Sequence, residues 1–183
     1  FLSKECLETQ KNLCNKYFNL KTIIQPDDFP GYGGAIKYCF KFIDTKYFCW
    51  LDGDGETNPK YVDEMYRAIT SNKDIDIVNA SRFKNKIFFI KNYGYISSII
   101  TYCFQILCRI LFNSKITDYT VGYRIYKTAV FKKLYFSSND QNFALESLIL
   151  PILIDEVKVK EIYYQWTKRS DGESHNSLSN KLS

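Results

Sequence analysis

The stretch YFCWLDGDGE, residues 47–56, decides the fold. Its first five residues form a continuous apolar run of strand length, which is typical of a strand buried on both faces of a sheet. Asp52 and Asp54 follow at once, separated only by Gly53. Because open α/β sheets bind ligands at the carboxyl ends of their strands, these carboxylates predict a ligand site there. Carboxylate oxygens suit Mg²⁺ or Mn²⁺, which typically binds through one or two carboxylates together with substrate phosphates.

Two other structures also place carboxylates this close together. An EF-hand loop beginning at Asp52 would need a glycine at its sixth position, where Thr57 stands, and a helix before it. This departure disfavours a calcium loop. A simple solvated acidic turn remains an alternative for the motif taken alone.

Strands and helices are predicted to alternate on both sides of this stretch. Short apolar or β-branched runs predict strands at residues 20–25, 47–51, 75–80, 123–126 and 157–163. Helical spacing of apolar residues predicts helices within the first 19 residues, at 35–43, from Pro59 onward, at 96–112 and at 145–154. This alternation predicts an α/β fold with a mainly parallel sheet flanked by helices.

The composition is that of a single globular domain. With 183 residues, 45% hydrophobic and 25% charged, the chain is long enough to bury its own core, which excludes a disordered tail or a disulfide-stapled scaffold. The net charge of +5 suits an anionic partner, but no dense Lys/Arg run occurs, so no nucleic-acid partner is expected. We expect one domain over residues 1–183, with a mobile polar tail at 169–183.

The cysteines do not indicate a metal site. Six cysteines without CxxC spacing and a single histidine, His175, make a zinc site an unfavourable interpretation. Reduced, mostly buried thiols in a cytosolic protein are the plain expectation, although the even count also permits disulfides.

Residues 96–112 form the most hydrophobic stretch. Their apolar residues follow i, i+3, i+4, i+7 spacing, and a polar stripe with Arg109 interrupts the pattern, so the stretch predicts an amphipathic helix and not a membrane span. Such a helix either packs on the sheet or lies on a bilayer surface, and both interpretations fit the pattern.

Further motifs follow one another along the chain. A glycine-rich turn at residues 31–35 opens a helix and is of a kind that cradles phosphates. The other charged or polar candidates are Arg82, Asp118, Arg124, Glu146, Arg169 and Ser174.

In this order the motifs resemble family 2 glycosyltransferases of the GT-A fold, especially the polyprenyl-phosphate, dolichyl-phosphate mannose synthase-like branch. The resemblance runs from about residue 31 to residue 174. It implies a GT-A (Rossmann-like) nucleotide-diphospho-sugar transferase fold. The family's PxYNE-like and DDGS-like strand ends are not present, so the resemblance implies that the first strands are missing and the domain is N-terminally incomplete.

The resemblance also implies roles for single residues. Asp54 would be the main metal ligand, with Asp52 at the nucleotide ribose or the metal and Glu56, where the family usually has Gln, near the metal. Arg82 and Arg124 would lie near the acceptor phosphate. The implied catalytic residues are Asp52, Asp54, Asp118 and Arg124, and the implied substrate-binding residues are Gly31, Gly33, Arg82, Glu146, Arg169 and Ser174.

The implied activity is inverting, Mg²⁺- or Mn²⁺-dependent transfer of a sugar from a UDP- or GDP-sugar to a polyprenyl (dolichyl or undecaprenyl) phosphate. It would take place at the cytoplasmic face of a membrane, with peripheral membrane contact, in glycan or cell-wall biosynthesis. Transfer to a sugar hydroxyl is an alternative that needs a carboxylate base, for which Asp118 is the first candidate and Glu146 the second. A non-catalytic remnant that binds a partner or a membrane is an alternative of another class.

Overall fold

Four strands form one mixed sheet in the computed structural model, which describes residues 4–83, 94–155 and 157–168. The strands are β1 (Tyr47–Trp50), β2 (Ile77–Ser81), β3 (Arg124–Lys127) and β4 (Val159–Tyr163). Their order across the sheet is β1-β3-β2-β4. β3 is antiparallel to both β1 and β2, whereas β4 is parallel to β2.

The strand directions refine the predicted fold. The α/β class and the positions of these four strands are as predicted, and three of the four strands run in the same direction, but β3 lies antiparallel between β1 and β2, so the sheet is mixed. A strand's apolar pattern reports how deeply it is buried, whereas its direction is set by the connection that leads into it.

Six helices accompany the sheet within the described part of the chain. They are α1 (Lys4–Lys16), α2 (Gly31–Phe40), α3 (Tyr61–Ser71), α4 (Tyr95–Leu111), α5 (Thr128–Lys132) and α6 (Phe143–Asp155). The predicted helices are found at these places, with ends displaced by a few residues. In α3, for example, Met65, Ala68 and Ile69 follow i, i+3, i+4 spacing and are the buried residues of the helix.

The predicted strand at residues 20–25 is not formed. These residues have no regular structure, and Ile24 is 85% exposed. β-branched residues favour extended backbone, but a strand is held by the ladder to a neighbouring strand. None of the four described strands pairs with this segment, so the local preference has nothing to stabilise it.

Two apolar clusters cover the two faces of the sheet. Val78 and Ile125 belong to the cluster that contains the inner side of α3. Their chain neighbours Ile77 and Tyr126 point the other way, into the cluster that includes residues of α2, α5 and α6. This alternation is the two-residue period of a strand, and it gives a sheet between two layers of helices.

The strand directions also position the functional edge. β1, β2 and β4 run the same way, because β3 is antiparallel to β1 and β2, and β4 is parallel to β2. Their carboxyl ends therefore lie at one edge of the sheet, where Asp52, Arg82 and Tyr164 follow them. All six cysteines have free thiols.

Candidate active site

The acidic loop after β1 presents its carboxylates to solvent. Asp52 and Asp54 are both exposed. The Glu56 backbone N–H donates to Oδ1 of Asp54 at 3.1 Å, which closes a tight Asx turn. Gly55 has a φ of +81°, a left-handed conformation that suits glycine. The turn holds the two aspartates at the sheet edge.

Trp166 and Thr167, which follow β4, form hydrogen bonds to this loop. Nε1 of the buried Trp166 donates to Oε2 of Glu56 at 3.2 Å, and Oγ1 of Thr167 donates to the Gly55 carbonyl at 3.2 Å. Glu56, which the resemblance places near a metal, is therefore also fixed by an indole donor. Sequence analysis missed Trp166, and the signal available was its position just beyond the last predicted strand.

Tyr164 lies where the charges of the site converge. Burial raises the pKa of its hydroxyl above the ordinary value, Arg82 opposes that rise, and Asp118, Glu56 and Asp52 add to it. A hydroxyl that is influenced by all four charged groups lies within electrostatic reach of each of them. The fold thus brings together charged residues that are far apart in the sequence, around an aromatic residue that sequence analysis did not select.

Arg82 and Asp118 form a bidentate ion pair at this edge of the sheet. Nε of Arg82 donates to Oδ2 of Asp118 at 2.7 Å, and Nη2 donates to Oδ1 at 2.8 Å and to Oγ1 of Thr120 at 2.7 Å. The Asp118 side chain is fully buried, whereas that of Arg82 is 11% exposed. Both carboxylate oxygens of Asp118 are engaged by Arg82, and its catalytic role stays a prediction.

A buried polar network supports this ion pair. Glu161 on β4 accepts hydrogen bonds from the Thr117 N–H at 2.9 Å and from Nδ2 of Asn79 at 3.0 Å. Asn79 also donates to the Asp118 carbonyl at 2.8 Å. Burial raises the pKa of Glu161, while these donors act to lower it. The network fixes the backbone of the 117–118 turn from which Asp118 projects.

Arg124 joins elements of the core. This residue is completely buried, and each of its nitrogens donates inside the core. Nε donates to Oδ1 of Asn79 at 2.7 Å, Nη2 donates to the Tyr119 carbonyl at 2.9 Å, and Nη1 donates to the Ala144 carbonyl and to Oγ of Ser147. In this structure the donors of Arg124 are used by protein acceptors away from solvent, and its predicted contact with an acceptor phosphate stays a prediction.

Tyr32 extends the site from the glycine-rich turn. Burial raises the pKa of its hydroxyl, and the charge of Asp52 raises it further, so the hydroxyl faces that carboxylate. A Cβ added to Gly122 would collide with this hydroxyl and would lie 2.9 Å from Nε1 of Trp50. Sequence analysis named the glycines around Tyr32 and missed the tyrosine itself.

Gly31 and Gly33 make their close contacts with protein. A Cβ added to Gly33 would lie 2.7 Å from Cβ of Phe143 and 2.7 Å from the Ser138 carbonyl, and one added to Gly31 would collide with the Asn139 carbonyl. The Gly33 N–H donates to that same carbonyl at 2.8 Å. Glycine is needed at both positions because the start of α2 packs closely against residues 138–143, which leave no space for a side chain. Substrate binding by Gly31 and Gly33 stays a prediction.

Glu146 is likewise engaged by the protein. Its carboxylate accepts from the Ser137 N–H at 2.8 Å and from the Ser138 N–H at 2.9 Å. Burial alone would raise the pKa of Glu146, but these donors hold it below the usual value. Arg169 and Ser174 lie outside the described residues, so their roles stay predictions.

The acidic loop suits a divalent cation whose remaining coordination positions are filled by oxygens of a bound ligand or of water. Among the described residues there is no group of three or more His, Cys, Asp or Glu side chains arranged to hold a metal. Mg²⁺ and Mn²⁺ do not need such a group, because they bind through one or two carboxylates and take further oxygens from water and phosphates. The exposed oxygens of Asp52 and Asp54 provide that donor set.

Comparison with known proteins confirms the predicted family. The family model described as "Glycosyl transferase family 2" matches residues 3–135. No curated protein matches the chain.

Solved structures share the fold at low identity. Glucosyl-3-phosphoglycerate synthase from Mycobacterium tuberculosis with Mn²⁺, UDP and phosphoglyceric acid matches at a TM-score of 0.61 and 11% identity, covering 82% of this chain and 49% of that one. The same synthase with Mn²⁺, UDP-glucose and glycerol 3-phosphate matches at 0.59 and 11%, covering 82% and 50%. A mycobacterial protein matches at 0.61 and 10%, covering 85% and 47%. The chain thus spans about half the length of these structures.

Proposed function

Because the chain belongs to glycosyl transferase family 2 and has the GT-A fold, we propose that it binds a nucleotide-sugar donor at the Asp52–Asp54 loop and transfers the sugar. The observation that carries this proposal is the exposed carboxylate pair of Asp52 and Asp54 at the edge of the sheet where Arg82, paired with Asp118, also lies. An anionic donor and its acceptor need this combination of metal-binding oxygens and a fixed guanidinium.

The proposed cofactor is Mg²⁺ or Mn²⁺. Asp54 and Asp52 would hold the ion, and Glu56 would stand beside it, fixed by Trp166. When bound, the ion offsets the negative charge that develops on the departing nucleoside diphosphate. The solved synthase structures contain Mn²⁺ with UDP or UDP-glucose, which supports the same chemistry here.

The proposed acceptor is a phosphate monoester, and within that class a polyprenyl phosphate at the cytoplasmic face of a membrane. Its anionic oxygen would attack the anomeric carbon of the donor sugar from the face opposite the departing diphosphate. The bond between that carbon and the diphosphate oxygen breaks, and the diphosphate keeps the electron pair. This nucleophile needs no strong base. Arg82, fixed by Asp118 and Thr120, would orient the acceptor phosphate.

The alternative acceptor, a sugar hydroxyl, needs a carboxylate to take its proton. Both candidates are engaged: Asp118 accepts two hydrogen bonds from Arg82, and Glu146 accepts from Ser137 and Ser138. These contacts favour a phosphate over a hydroxyl. The synthase structures contain phosphoglyceric acid or glycerol 3-phosphate, which are soluble phosphates without a polyprenyl chain.

Donor binding is tested by thermal unfolding with UDP, GDP and their sugar conjugates, each with and without Mn²⁺. A ligand that binds only the folded state raises the midpoint with its concentration. We expect a Mn²⁺-dependent rise for one nucleotide, lost in Asp54→Ala. Asp44→Ala removes another exposed aspartate and serves as the matched control, which should keep the rise. No rise with any nucleotide would favour the non-catalytic alternative.

Acceptor class is tested by transfer from a radiolabelled donor, followed by extraction into organic solvent. A lipid product moves into the solvent, whereas a glycosylated phosphoglycerate or saccharide stays in water. Label that remains in the aqueous phase in a reaction containing both acceptor types would contradict the polyprenyl phosphate.

A further inference from the structure

α4 faces the protein with its polar side and solvent with its apolar side. Within the helix the fully buried residues are Ser98, Gln105 and Cys108. The exposed large apolar residues of the helix are Tyr95, Ile96, Ile99, Ile100, Phe104, Ile106, Leu107, Ile110 and Leu111. Ile110 is 72% exposed and Ile100 is 54% exposed. A continuous exposed apolar face of this kind marks an interaction surface in a soluble domain. We call these nine residues the α4 apolar face.

The reversed orientation is held by hydrogen bonds from the inner side. Oε1 of Gln105 accepts from the Tyr119 N–H at 2.7 Å, and Nε of Arg109 donates to the Ile116 carbonyl at 2.8 Å. Gln105 and Arg109 thus bind the 116–120 segment by specific hydrogen bonds, beside Cys108, which packs in an apolar cluster. These bonds fix the rotation of the helix about its axis, so the α4 apolar face is held on the outside.

The chain around α4 carries charge of one sign. From Ile77 to Thr117 the sequence contains no aspartate or glutamate. It contains six basic residues, Arg82, Lys84, Lys86, Lys91, Arg109 and Lys115. Arg82 pairs with Asp118 and Arg109 donates to the Ile116 carbonyl, so the charge that complements an anionic bilayer is that of the four lysines in this stretch of sequence. At such a bilayer, aliphatic side chains enter the acyl boundary and lysines meet the headgroups. A second copy of the chain would bring the same positive charge and lacks this complementarity.

We propose that the α4 apolar face docks the protein on an anionic lipid surface. No described helix is both long and apolar enough to cross a bilayer, so this attachment would lie in the interface. The inference rests on the proposed function in one respect, because it names the surface from which a lipid acceptor would reach the site.

The docking surface is connected to the site by two hydrogen bonds. Nε2 of Gln105, on the inner side of α4, donates to Oγ1 of Thr120 at 3.2 Å. The same hydroxyl oxygen accepts from Nη2 of Arg82 at 2.7 Å. A lipid whose tail stays in the bilayer beneath α4 would therefore present its phosphate close to the guanidinium proposed to orient it.

The test is co-sedimentation of the full chain with vesicles, without donor or acceptor. One set of vesicles is pure phosphatidylcholine, and the other contains phosphatidylserine as a minor component. We expect binding to the anionic vesicles that weakens with salt, and a loss of about tenfold or more in Ile100→Glu/Leu107→Glu, since two aliphatic side chains leave the acyl boundary. Leu7→Glu/Leu13→Glu makes the same charge change at exposed leucines of α1 and is the matched control.

Unchanged circular dichroism and thermal midpoint show that the variants fold. Equal loss in the α1 control, equal binding to neutral and anionic vesicles, or undiminished binding of the α4 variant would overturn the proposal. A wild-type dimer that the α4 variant converts to a monomer, with no vesicle binding, would assign the face to a second copy instead. Because no sugar transfer is measured, vesicle binding without nucleotide binding would contradict the proposed function alone.

Discussion

Arg82 and Arg124 carry the same guanidinium group in different surroundings. Arg82 pairs with a carboxylate at the sheet edge and keeps some exposure. Arg124 is fully buried among neutral acceptors, Asn79 Oδ1 and backbone carbonyls among them. A buried cation is tolerated only when its donors are satisfied. The five-donor fork of arginine meets that need by joining β2, β3 and the start of α6.

We expect Arg124→Met to lower the free energy of unfolding by about 3 kcal/mol or more, because each acceptor left unpaired in the core costs about 1–3 kcal/mol. Urea titration followed by circular dichroism measures the loss. Arg67→Met removes an exposed arginine of α3 and should change stability by no more than about 0.5 kcal/mol. An Arg124→Met protein of unaltered stability that has lost sugar transfer would contradict this structural role and support the predicted contact with the acceptor phosphate.

Glu146 gives a pH dependence with a defined sign. Although burial by itself raises its pKa, the N–H groups of Ser137 and Ser138 hold the pKa below the usual 4.5. A carboxyl whose pKa falls on folding stabilises the folded state above its unfolded pKa, and that stabilisation disappears as the pH falls through the folded value.

We therefore expect Glu146→Gln to be less stable than the wild type at neutral pH, with the difference shrinking as the pH falls below about 4.5. Urea titrations at a series of pH values measure this. Glu64→Gln, at an exposed position of α3, is the control without such donors. A difference that stays constant at all pH values would show that the charge of Glu146 does not contribute.

At the scale of elements, the contact of α2 with the start of α6 depends on the absence of a side chain. Gly33 is buried, and the space beside its Cα is filled by Phe143 and the Ser138 carbonyl. The glycines of the turn thus allow two helices to approach closely, and Tyr32 between them is directed toward Asp52.

We expect Gly33→Ala to destabilise the protein by about 1–3 kcal/mol, because the added methyl must displace backbone or a packed ring. Gly53→Ala in the acidic loop is the matched control, since a Cβ there meets nothing within 4 Å. Its effect should stay within about 0.5 kcal/mol. The measurement is the urea midpoint of each variant, and equal midpoints for the two would contradict the packing argument.

At the scale of the whole molecule, the most deeply buried residues lie around β2 and β3. Every residue of β2 is buried, whereas α1 has no buried residue. Helices of this length are marginal in water unless they bury an apolar face, so α1 receives little stabilisation from the rest of the domain.

We expect hydrogen exchange to follow this division. The amides of β2 and β3 should exchange most slowly, and those of α1 nearly as fast as in an unfolded chain, because local opening of α1 breaks few contacts. α3, with 11 residues against 13 in α1 and three of them buried, is the internal control and should be protected. Protection of α1 equal to that of α3 would show that α1 is held by contacts beyond those described.

The sequence predicted some of these elements correctly and others not. The run 47–51 followed by Asp52 and Asp54 predicted a buried strand with exposed carboxylates at its end, and the ordered motifs predicted the family. The strand predicted at 20–25 is not formed, and the antiparallel direction of β3 was not predicted. A single segment reveals its own hydropathy, but pairing requires a partner that the segment does not contain.

By itself, the sequence determined the α/β class, the places of most elements and the acidic loop, since these follow from local hydropathy and turn chemistry. Only the tertiary structure decided that Arg124 belongs to the core, that Asp118 is held by Arg82, that Trp166 fixes Glu56 and that α4 turns its apolar side outward. Each of these depends on which surfaces meet after the chain has folded. Burial and pairing are properties of contacts between distant segments, and no local pattern specifies them.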